Sequence, residues 1–554
     1  MLRNLSPNFG IVFLSLIPIL FDQHDASETS VGSKSGDRAA EECNQDVLDR
    51  SFVTRCSPSL CEPIFDSDFN ETGQAPGPEW PTNKDEVVQI TSSRENNRLK
   101  MVKHKSLNTD EHYYEESHVN GTIFVDTETK YQRILGFGTT LTDASCKNID
   151  DLPGEIRQKL IEDYFNPRTG IGLNLIKIPI GSTKYSYSNY ALDQPDSNQV
   201  ELSPYDIDHR IPLIRDALKS AGKLSNRVKI LASSATAPAE FKDNNKLIHG
   251  GLLKPNKFDD YASYLVGYVS AYKAQGLSIW SLIMSESPAS INSLGNSTSD
   301  QLDYASMAMR PSDAIKLSRS IENASKRSRS EIDRFRLLLL GDSRIYSPVW
   351  ADALFERHDV AKNVAGVAYN VDAADNYQPY DSLVYITRRF PNKYLLATQG
   401  ANNGPMKLGN WQYAENYANE IVKNLEYGSV GWIDFNMALS LEGGPSLSDR
   451  FKSDAAVIVD AKRNAYYRNP MFYAIAHLSR FVKPGSIRVK STFSSSAHMY
   501  ASQQIAFITP DNFLVVFVAN NNIGPMPVSI GINRWTRVEE LLDTKSFNTF
   551  IFRL

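Results

Sequence analysis

The chain has 554 residues, of which 41% are hydrophobic and 22% charged, as is ordinary for a globular protein. This length allows two or more domains, or one large barrel with additions. The formal net charge of -5 gives no reason to expect a nucleic-acid partner.

The first 25 residues have the pattern of a secretory signal peptide. Arg3 supplies a positive start, and residues 10–21 form an apolar core of suitable length. This core is too short and too interrupted by proline to favour a membrane span, and an interfacial or signal-anchor segment is the alternative. Asn-x-Ser/Thr sequons that suit a secreted or lysosomal glycoprotein occur at Asn70, Asn120, Asn296 and Asn323.

The cysteines are Cys43, Cys56, Cys61 and Cys146, and three of them lie just after the predicted signal. In an oxidising compartment this clustering indicates a small disulfide-stapled segment, and the spacing of Cys56 and Cys61 permits a tight loop. The pairing of Cys43 and Cys146 stays open. No His or Cys lies near them at zinc-finger spacing, so we expect no metal, and nothing in the chain calls for a cofactor.

From residue 133 onward, apolar runs of strand length alternate with amphipathic stretches. Such alternation predicts a parallel sheet buried on both faces, and eight runs favour a closed (β/α)8 TIM barrel over residues 133–484. The alternative is a doubly wound open sheet, but no glycine-rich dinucleotide motif follows any run. The runs are residues 134–138, 173–180, 228–232, 279–284, 337–340, 364–368, 394–397 and 430–438.

Short strand patterns flank the predicted barrel on both sides. Residues 26–132 contain the cysteine segment and then alternating runs that predict antiparallel strands, and residues 485–554 return to short strands. Residues 504–509 and 513–519 predict a hairpin across Pro510-Asp511-Asn512. We expect both chain ends to form one accessory β-sandwich.

Barrel enzymes carry their chemistry after the carboxyl ends of the strands. The fourth run leads into Ser285-Glu286-Ser287-Pro288, and the seventh leads into Thr398-Gln399-Gly400. Further motifs occur at residues 130–138, 141–144, 389–392, 430–436, 442–445 and 470–473. In order and spacing these motifs resemble the glucosylceramidase family, glycoside hydrolase family 30, and Cys56 and Cys61 match its amino-terminal segment. The resemblance implies a barrel beside a β-sandwich and retaining hydrolysis of glucosylceramide.

The resemblance fails at the catalytic centre. The family's acid/base glutamate aligns with Ser287, and its nucleophilic glutamate aligns with Gln399. Retaining hydrolysis needs two carboxyl groups, one to protonate the leaving oxygen and one to attack the anomeric carbon. Neither side chain can fill its role, so we expect a catalytically dead or severely impaired protein of sphingolipid metabolism with a binding or regulatory role.

The substrate pocket of the family also aligns with altered residues. A glucose-binding Asp aligns with Lys184 and a pocket Trp with Ala235. A Tyr near the nucleophile aligns with Asp372, a Trp after strand eight with Phe435, and an Asn falls near Arg450. Glu442, grouped with these pocket positions, begins a turn that we expect to be structural.

Displaced carboxylates offer an alternative to loss of activity. Glu286 is offset by one residue from the acid/base position, and Asp372 could replace a base, so an active glucosylceramide hydrolase is the second hypothesis. Drift without retained function is the third. Because isolated buried charges are costly, we also expect Lys184, Glu286 and Asp372 to pair and fill the old sugar subsite.

The resemblance further suggests partners and a compartment. Candidate partners are a glycolipid or glucoside ligand, a saposin-like activator, an active paralogue and a peripheral membrane contact. We expect passage through the secretory pathway to the lysosomal lumen or the extracellular space.

Overall fold

The computed structural model describes most of the chain from residue 53 onward. The described ranges are 53–65, 80–107, 121–194, 199–289, 291, 302–328, 332–373, 379–402, 404–493, 502–533 and 535–554. The predicted signal peptide, Cys43 and the sequons at Asn70, Asn120 and Asn296 lie outside these ranges. Asn323 lies inside them and is exposed on a helix.

Eight parallel strands close into a barrel, and each of the eight apolar runs contributes one of them. The predicted (β/α)8 class is therefore confirmed. Barrel strands 1 to 8 are Gly136–Thr140, Leu175–Ile180, Lys229–Ser234, Ile279–Ile283, Arg336–Ser343, Val364–Asp372, Tyr394–Ala401 and Gly431–Asp434.

Leucine and isoleucine side chains fill the barrel interior. Leu175, Leu231, Ile283, Leu338 and Leu396 come from five different strands and form one buried cluster. Because side chains alternate across a strand, the residue two positions after Leu175 shares its inward face. That residue is Lys177, so a charged side chain lies above the apolar layer.

Helices follow the barrel strands and cover the outside of the barrel. The amphipathic stretches between the runs, at residues 155–164, 205–221, 259–274 and 413–427, all form helices, although residues 205–210 form a π-helical turn before an α-helix. No described helix is long and apolar enough to cross a membrane. The α-helices are Asp143–Asp150, Gly154–Phe165, Ile211–Ala221, Phe258–Ala274, Pro311–Arg327, Ser347–Phe355, His358–Ala361, Asp381–Arg389, Trp411–Glu426 and Pro470–Ser479.

Strands from both chain ends form a nine-stranded sheet beside the barrel. Val87, Ile123, Val516, Val528 and Phe550 come from separate strands and share one apolar core, so the sheet packs as the predicted sandwich. The predicted hairpin is also present, across a turn with Asn512 in the left-handed region. In spatial order the strands are Trp535–Leu542, Met526–Ile532, Thr122–Arg133, Ile487–Phe493, Ser502–Ile508, Phe513–Asn520, Ser546–Arg553, Glu86–Ser93 and Lys100–Lys105.

A second, five-stranded sheet joins the amino-terminal segment to the chain after barrel strand 8. Thr54–Ser57 pairs antiparallel with Ala465–Arg468 and with the short strand Leu60–Cys61. Cys56 and Cys61 form a disulfide across this hairpin, as predicted, and Cys146 is a buried free thiol. The remaining strands are Leu439–Ser440 and Val457–Asp460. The domain limits at residues 132 and 484 stay predictions.

Candidate functional site at the carboxyl end of the barrel

A small cavity lies at the carboxyl ends of the barrel strands. Its volume is about 80 Å³, whereas pockets for small-molecule ligands usually measure about 300–1,000 Å³. A glucosyl ring therefore does not fit this cavity as it stands. The lining residues are Thr140, Lys177, Pro179, Thr183, Lys184, Ser233, Ala235, Glu286, Ser287, Ile291, Tyr304, Ala305, Gln399 and Phe435.

Ser287 and Gln399 both line this cavity from opposite sides of the barrel, after strand 4 and within strand 7. The Ser287 backbone has φ of +53° although a proline follows it, and both the left-handed region and a pre-proline position disfavour this conformation. Its N–H donates a hydrogen bond of 2.9 Å to the carbonyl of Gly341. Such strained backbone tends to occur at functional sites, where the surrounding structure holds it in place.

Glu286 forms an ion pair with Lys177 across the barrel mouth. Lys177 Nζ lies 2.6 Å from Glu286 Oε1, and the two side chains are 2% and 15% exposed. Gly341 makes room for this arrangement, because a Cβ there would lie 2.5 Å from the Ser285 carbonyl oxygen and 3.4 Å from Cδ of Glu286. The carboxylate nearest to the old acid/base position is thus tied to an ammonium group.

Lys184 lies beside aromatic rings at the same cavity. Its Nζ is 5.4 Å from the ring centroid of Phe435 and 5.8 Å from that of Tyr185. Burial lowers the pKa of Lys184, and the carboxylates of Asp372 and Glu286 act in the opposite direction. The three groups therefore share one electrostatic neighbourhood, but the close ion pair of Glu286 is with Lys177 instead of Lys184. Asp372 does not line the cavity.

The remaining sequence-predicted positions divide into two groups. Ala235 and Phe435 line the cavity, and the Phe435 ring packs edge-on against Tyr185 with centroids 5.3 Å apart. Glu442 is exposed on a turn, and its N–H donates to Ser440 Oγ. Arg450 pairs with Asp303 at the surface. The positions of Glu442 and Arg450 therefore do not support their assignment to the pocket.

Lys242 is a second buried lysine that sequence reasoning missed. Its Nζ donates to the Ser306 carbonyl at 2.7 Å and to Thr236 Oγ1 and the Leu247 carbonyl at 3.1 Å. The bond to Ser306 ties the chain after barrel strand 3 to the segment that follows the cavity residues Tyr304 and Ala305. Burial lowers the pKa of Lys242 to about 7. No local pattern marks Lys242. Lys177 was also missed, although it is the lone charge in an apolar strand and that pattern could have indicated it.

Within the described part of the chain, no group of three His, Cys, Asp or Glu side chains is placed to hold a metal ion. The polar groups that line the cavity are one paired carboxylate, two lysines, two serine, two threonine and one tyrosine hydroxyl, and a carboxamide. Retaining glycoside hydrolysis needs a free acid and a free nucleophilic carboxylate about 5 Å apart. These residues do not supply that pair.

Comparison with known proteins agrees with the architecture. Residues 134–482 match the family model described as the glycosyl hydrolase family 30 TIM-barrel domain. Putative glucosylceramidase 4 of Caenorhabditis elegans is 27% identical over 504 residues, which cover 88% of this chain and 90% of the relative. Lysosomal acid glucosylceramidase of Mus musculus is 30% identical over 452 residues, which cover 78% and 83%.

Solved structures with the same fold are more distant in sequence. SrfJ from Salmonella typhimurium superposes with a TM-score of 0.74 at 21% identity, covering 85% of this chain and all of that one. The catalytic domain of GH30 xylanase C from Talaromyces cellulolyticus gives 0.60 at 18% identity, covering 78% of this chain. These two show the fold alone. With the family match over most of the barrel and the glucosylceramidase relatives, the chain belongs to the glucosylceramidase family of glycoside hydrolase family 30.

Proposed function

We propose that this protein is a catalytically dead or severely impaired glucosylceramidase-family member with a binding or regulatory role in sphingolipid metabolism. The observation that carries the proposal is the ion pair between Lys177 and Glu286. In this pair Lys177 binds the one carboxylate that lies next to the aligned acid/base position, Ser287. By the family resemblance, Ser287 and Gln399 replace the two carboxyl groups that retaining hydrolysis requires.

The size of the cavity supports the same proposal. A volume of about 80 Å³ leaves no space for a glucosyl group. The charged side chains of Lys177, Lys184 and Glu286 occupy this end of the barrel. A regulatory role through the outer surface, with a saposin-like activator or an active paralogue as partner, accords better with so small a cavity than recognition of a glycolipid inside it.

Hydrolysis by displaced carboxylates is the alternative outcome. It would require Glu286 to leave Lys177 and act as an acid, and it would require Asp372 to reach a substrate although it lies outside the cavity lining. Both conditions need a rearrangement of the barrel mouth.

We also propose that the protein acts in the secretory pathway, in the lysosomal lumen or outside the cell. The mouse relative that it matches over most of its length is named as lysosomal. The Cys56–Cys61 disulfide suits an oxidising compartment, and the sequon at Asn323 is exposed.

Assay of the purified, secreted protein on a fluorogenic β-glucoside at acid pH tests the proposal. We expect no turnover above that of the matched Glu286→Gln variant, with mouse lysosomal acid glucosylceramidase as the positive control. Clear turnover by the wild type that disappears in Glu286→Gln would contradict the proposal and support the displaced-carboxylate mechanism.

A further inference from the structure

A larger groove lies at the opposite, amino end of the barrel. It measures about 760 Å³ and runs between the helix Pro311–Arg327 and the starts of barrel strands 5 and 6. This volume is within the usual range of ligand pockets, about 300–1,000 Å³. Ile321, Ile332 and Leu337 form a buried apolar floor, so a ligand would meet both apolar and charged groups here.

Basic side chains surround this groove. Arg334 and Arg336 line it and are exposed. The Arg336 guanidinium lies 4.9 Å from the centroid of the Trp280 ring, and Lys229 Nζ lies 5.6 Å from the same centroid. Burial lowers the pKa of Lys229, and the positive charge of Arg336 adds to this effect. Two like charges are therefore held close to one indole.

The acidic side chains of the groove are already paired with other lysines. Glu322 lies 2.7 Å from Lys326 Nζ and 3.8 Å from Lys362 Nζ, and Asp333 lies 2.7 Å from Lys273 Nζ. The hydrogen bonds from Lys326 and Lys273 lower the pKa of Glu322 and of Asp333 respectively.

The basic cluster that remains consists of Arg334 and Arg336, which line the groove, and of Lys229, which lies outside the lining and shares the Trp280 ring with Arg336. Within the described residues no carboxylate pairs with any of the three. The groove therefore has a local excess of positive charge, although the chain as a whole carries a formal net charge of -5.

We propose that this groove binds an anion of the phosphate- or sulfate-ester class through the basic cluster. Guanidinium groups present forked N–H donors that match the oxygens of such anions, and the adjoining lysine adds charge. The apolar floor would accommodate the rest of an ester. The site lies at the end of the barrel opposite the strand ends that carry chemistry in this fold, so it does not depend on the proposed function.

Binding of inorganic phosphate and pyrophosphate, followed by calorimetry and thermal shift on the full-length protein, tests the site. We expect saturable binding that weakens with salt. The Arg334→Gln/Arg336→Gln variant should lose about tenfold or more in affinity, which corresponds to about 1.4 kcal/mol. Arg55→Gln is the matched control, because Arg55 is also exposed but lies in the five-stranded sheet, and it should bind as the wild type does.

Vesicles separate the two sources of such an anion. Vesicles of phosphatidylcholine with phosphatidylserine are compared with vesicles of phosphatidylcholine alone. Binding to the anionic vesicles that is lost in the double variant identifies a lipid headgroup, and binding to the soluble anions alone identifies a free ester. The proposal is wrong if the wild type binds none of these probes, or if the double variant binds them as tightly as the wild type.

Discussion

Lys177 Nζ lies 2.6 Å from Glu286 Oε1 in the mouth of the barrel, with the side chains only 2% and 15% exposed. The pair joins barrel strand 2 to the chain that leaves strand 4. Taking two charges out of water is costly, and their mutual attraction offsets that cost only while both are present. The ion pair is thus part of the structure that lines the cavity, and it also restrains the Glu286 carboxylate.

Removing one partner should therefore destabilise the protein more than removing both. We expect Lys177→Met to lower the free energy of unfolding by about 3 kcal/mol, because it leaves Glu286 without its counter-ion. Lys177→Met combined with Glu286→Leu should recover most of this loss. Urea denaturation followed by circular dichroism measures both values.

An exposed ion pair between a lysine and an aspartate provides the control for these variants. Lys147 and Asp151 form an ion pair in which both side chains are 40% exposed, so Lys147→Met should cost less than about 1 kcal/mol. Equal stability of Lys177→Met and the wild type would show that the buried pair does not matter energetically.

Much of the fold was predictable because its signals are local. Each barrel strand is a short apolar run between turn residues, and each covering helix has its own periodicity. The five-stranded sheet had no such signal, because Thr54 pairs with Arg468 across most of the chain. Nothing in either segment specifies a partner so distant.

The candidate site was predictable in position but not in its internal contacts. The strand ends located Ser287 and Gln399 in one cavity, since parallel strands bring their carboxyl ends together. The choice of Lys177 over Lys184 as the partner of Glu286 depends on side-chain direction within the barrel. The small volume of the cavity results from many side chains packing together, which motifs do not encode.

Restoring the two catalytic carboxyl groups should not restore an enzyme. We expect Ser287→Glu/Gln399→Glu to stay about a thousandfold or more below mouse lysosomal acid glucosylceramidase in kcat/KM on a fluorogenic β-glucoside. The reason is that Lys184, beside Phe435, and the Lys177–Glu286 pair still line the small cavity. Substantial rescue would show that the pocket opens readily and that only the two carboxyl groups are missing.

A buried carboxyl group at the end of barrel strand 8 predicts a pH-dependent stability. Burial raises the pKa of Asp434 to about 7 from 3.8, while the Tyr417 hydroxyl donates to its Oδ1 at 2.8 Å. At a pH between these two pKa values, the folded protein holds a proton on Asp434 that the unfolded chain releases. The stabilising contribution is therefore complete below pH 3.8 and is lost as the pH rises through about 7.

Asp434→Asn tests this dependence, because an amide keeps an acceptor for Tyr417 but does not titrate. Relative to the wild type, the variant should gain up to about 4 kcal/mol in the free energy of unfolding as the pH rises from about 4 to 7. Burial also raises the pKa of Asp454 to about 7, so part of the wild-type slope should remain. Parallel unfolding curves of the variant and the wild type at every pH would contradict the prediction.

A buried histidine predicts the opposite pH dependence of stability, a loss as the pH falls. His477 lies on the helix Pro470–Ser479, which packs on the nine-stranded sheet. Its Nδ1 lies 2.9 Å from Thr549 Oγ1, and its Nε2 lies 3.0 Å from Ser92 Oγ. The Thr549 hydroxyl donates to the His477 carbonyl. The hydroxyl has one proton to give, so Nδ1 must donate to it and Nε2 must accept from Ser92.

Burial of this neutral ring lowers the pKa of His477 to about 3 from 6.5. Protonation therefore favours the unfolded chain between these values, and the stabilising contribution of the neutral ring is lost as the pH falls below 6.5. His477→Gln removes this titration, so the stability difference between wild type and variant should shrink by about 2 kcal/mol on going from neutral pH to about pH 5. Urea unfolding of both proteins across this range measures the difference, and a difference that is constant with pH would show that the ring is not held neutral by the sheet.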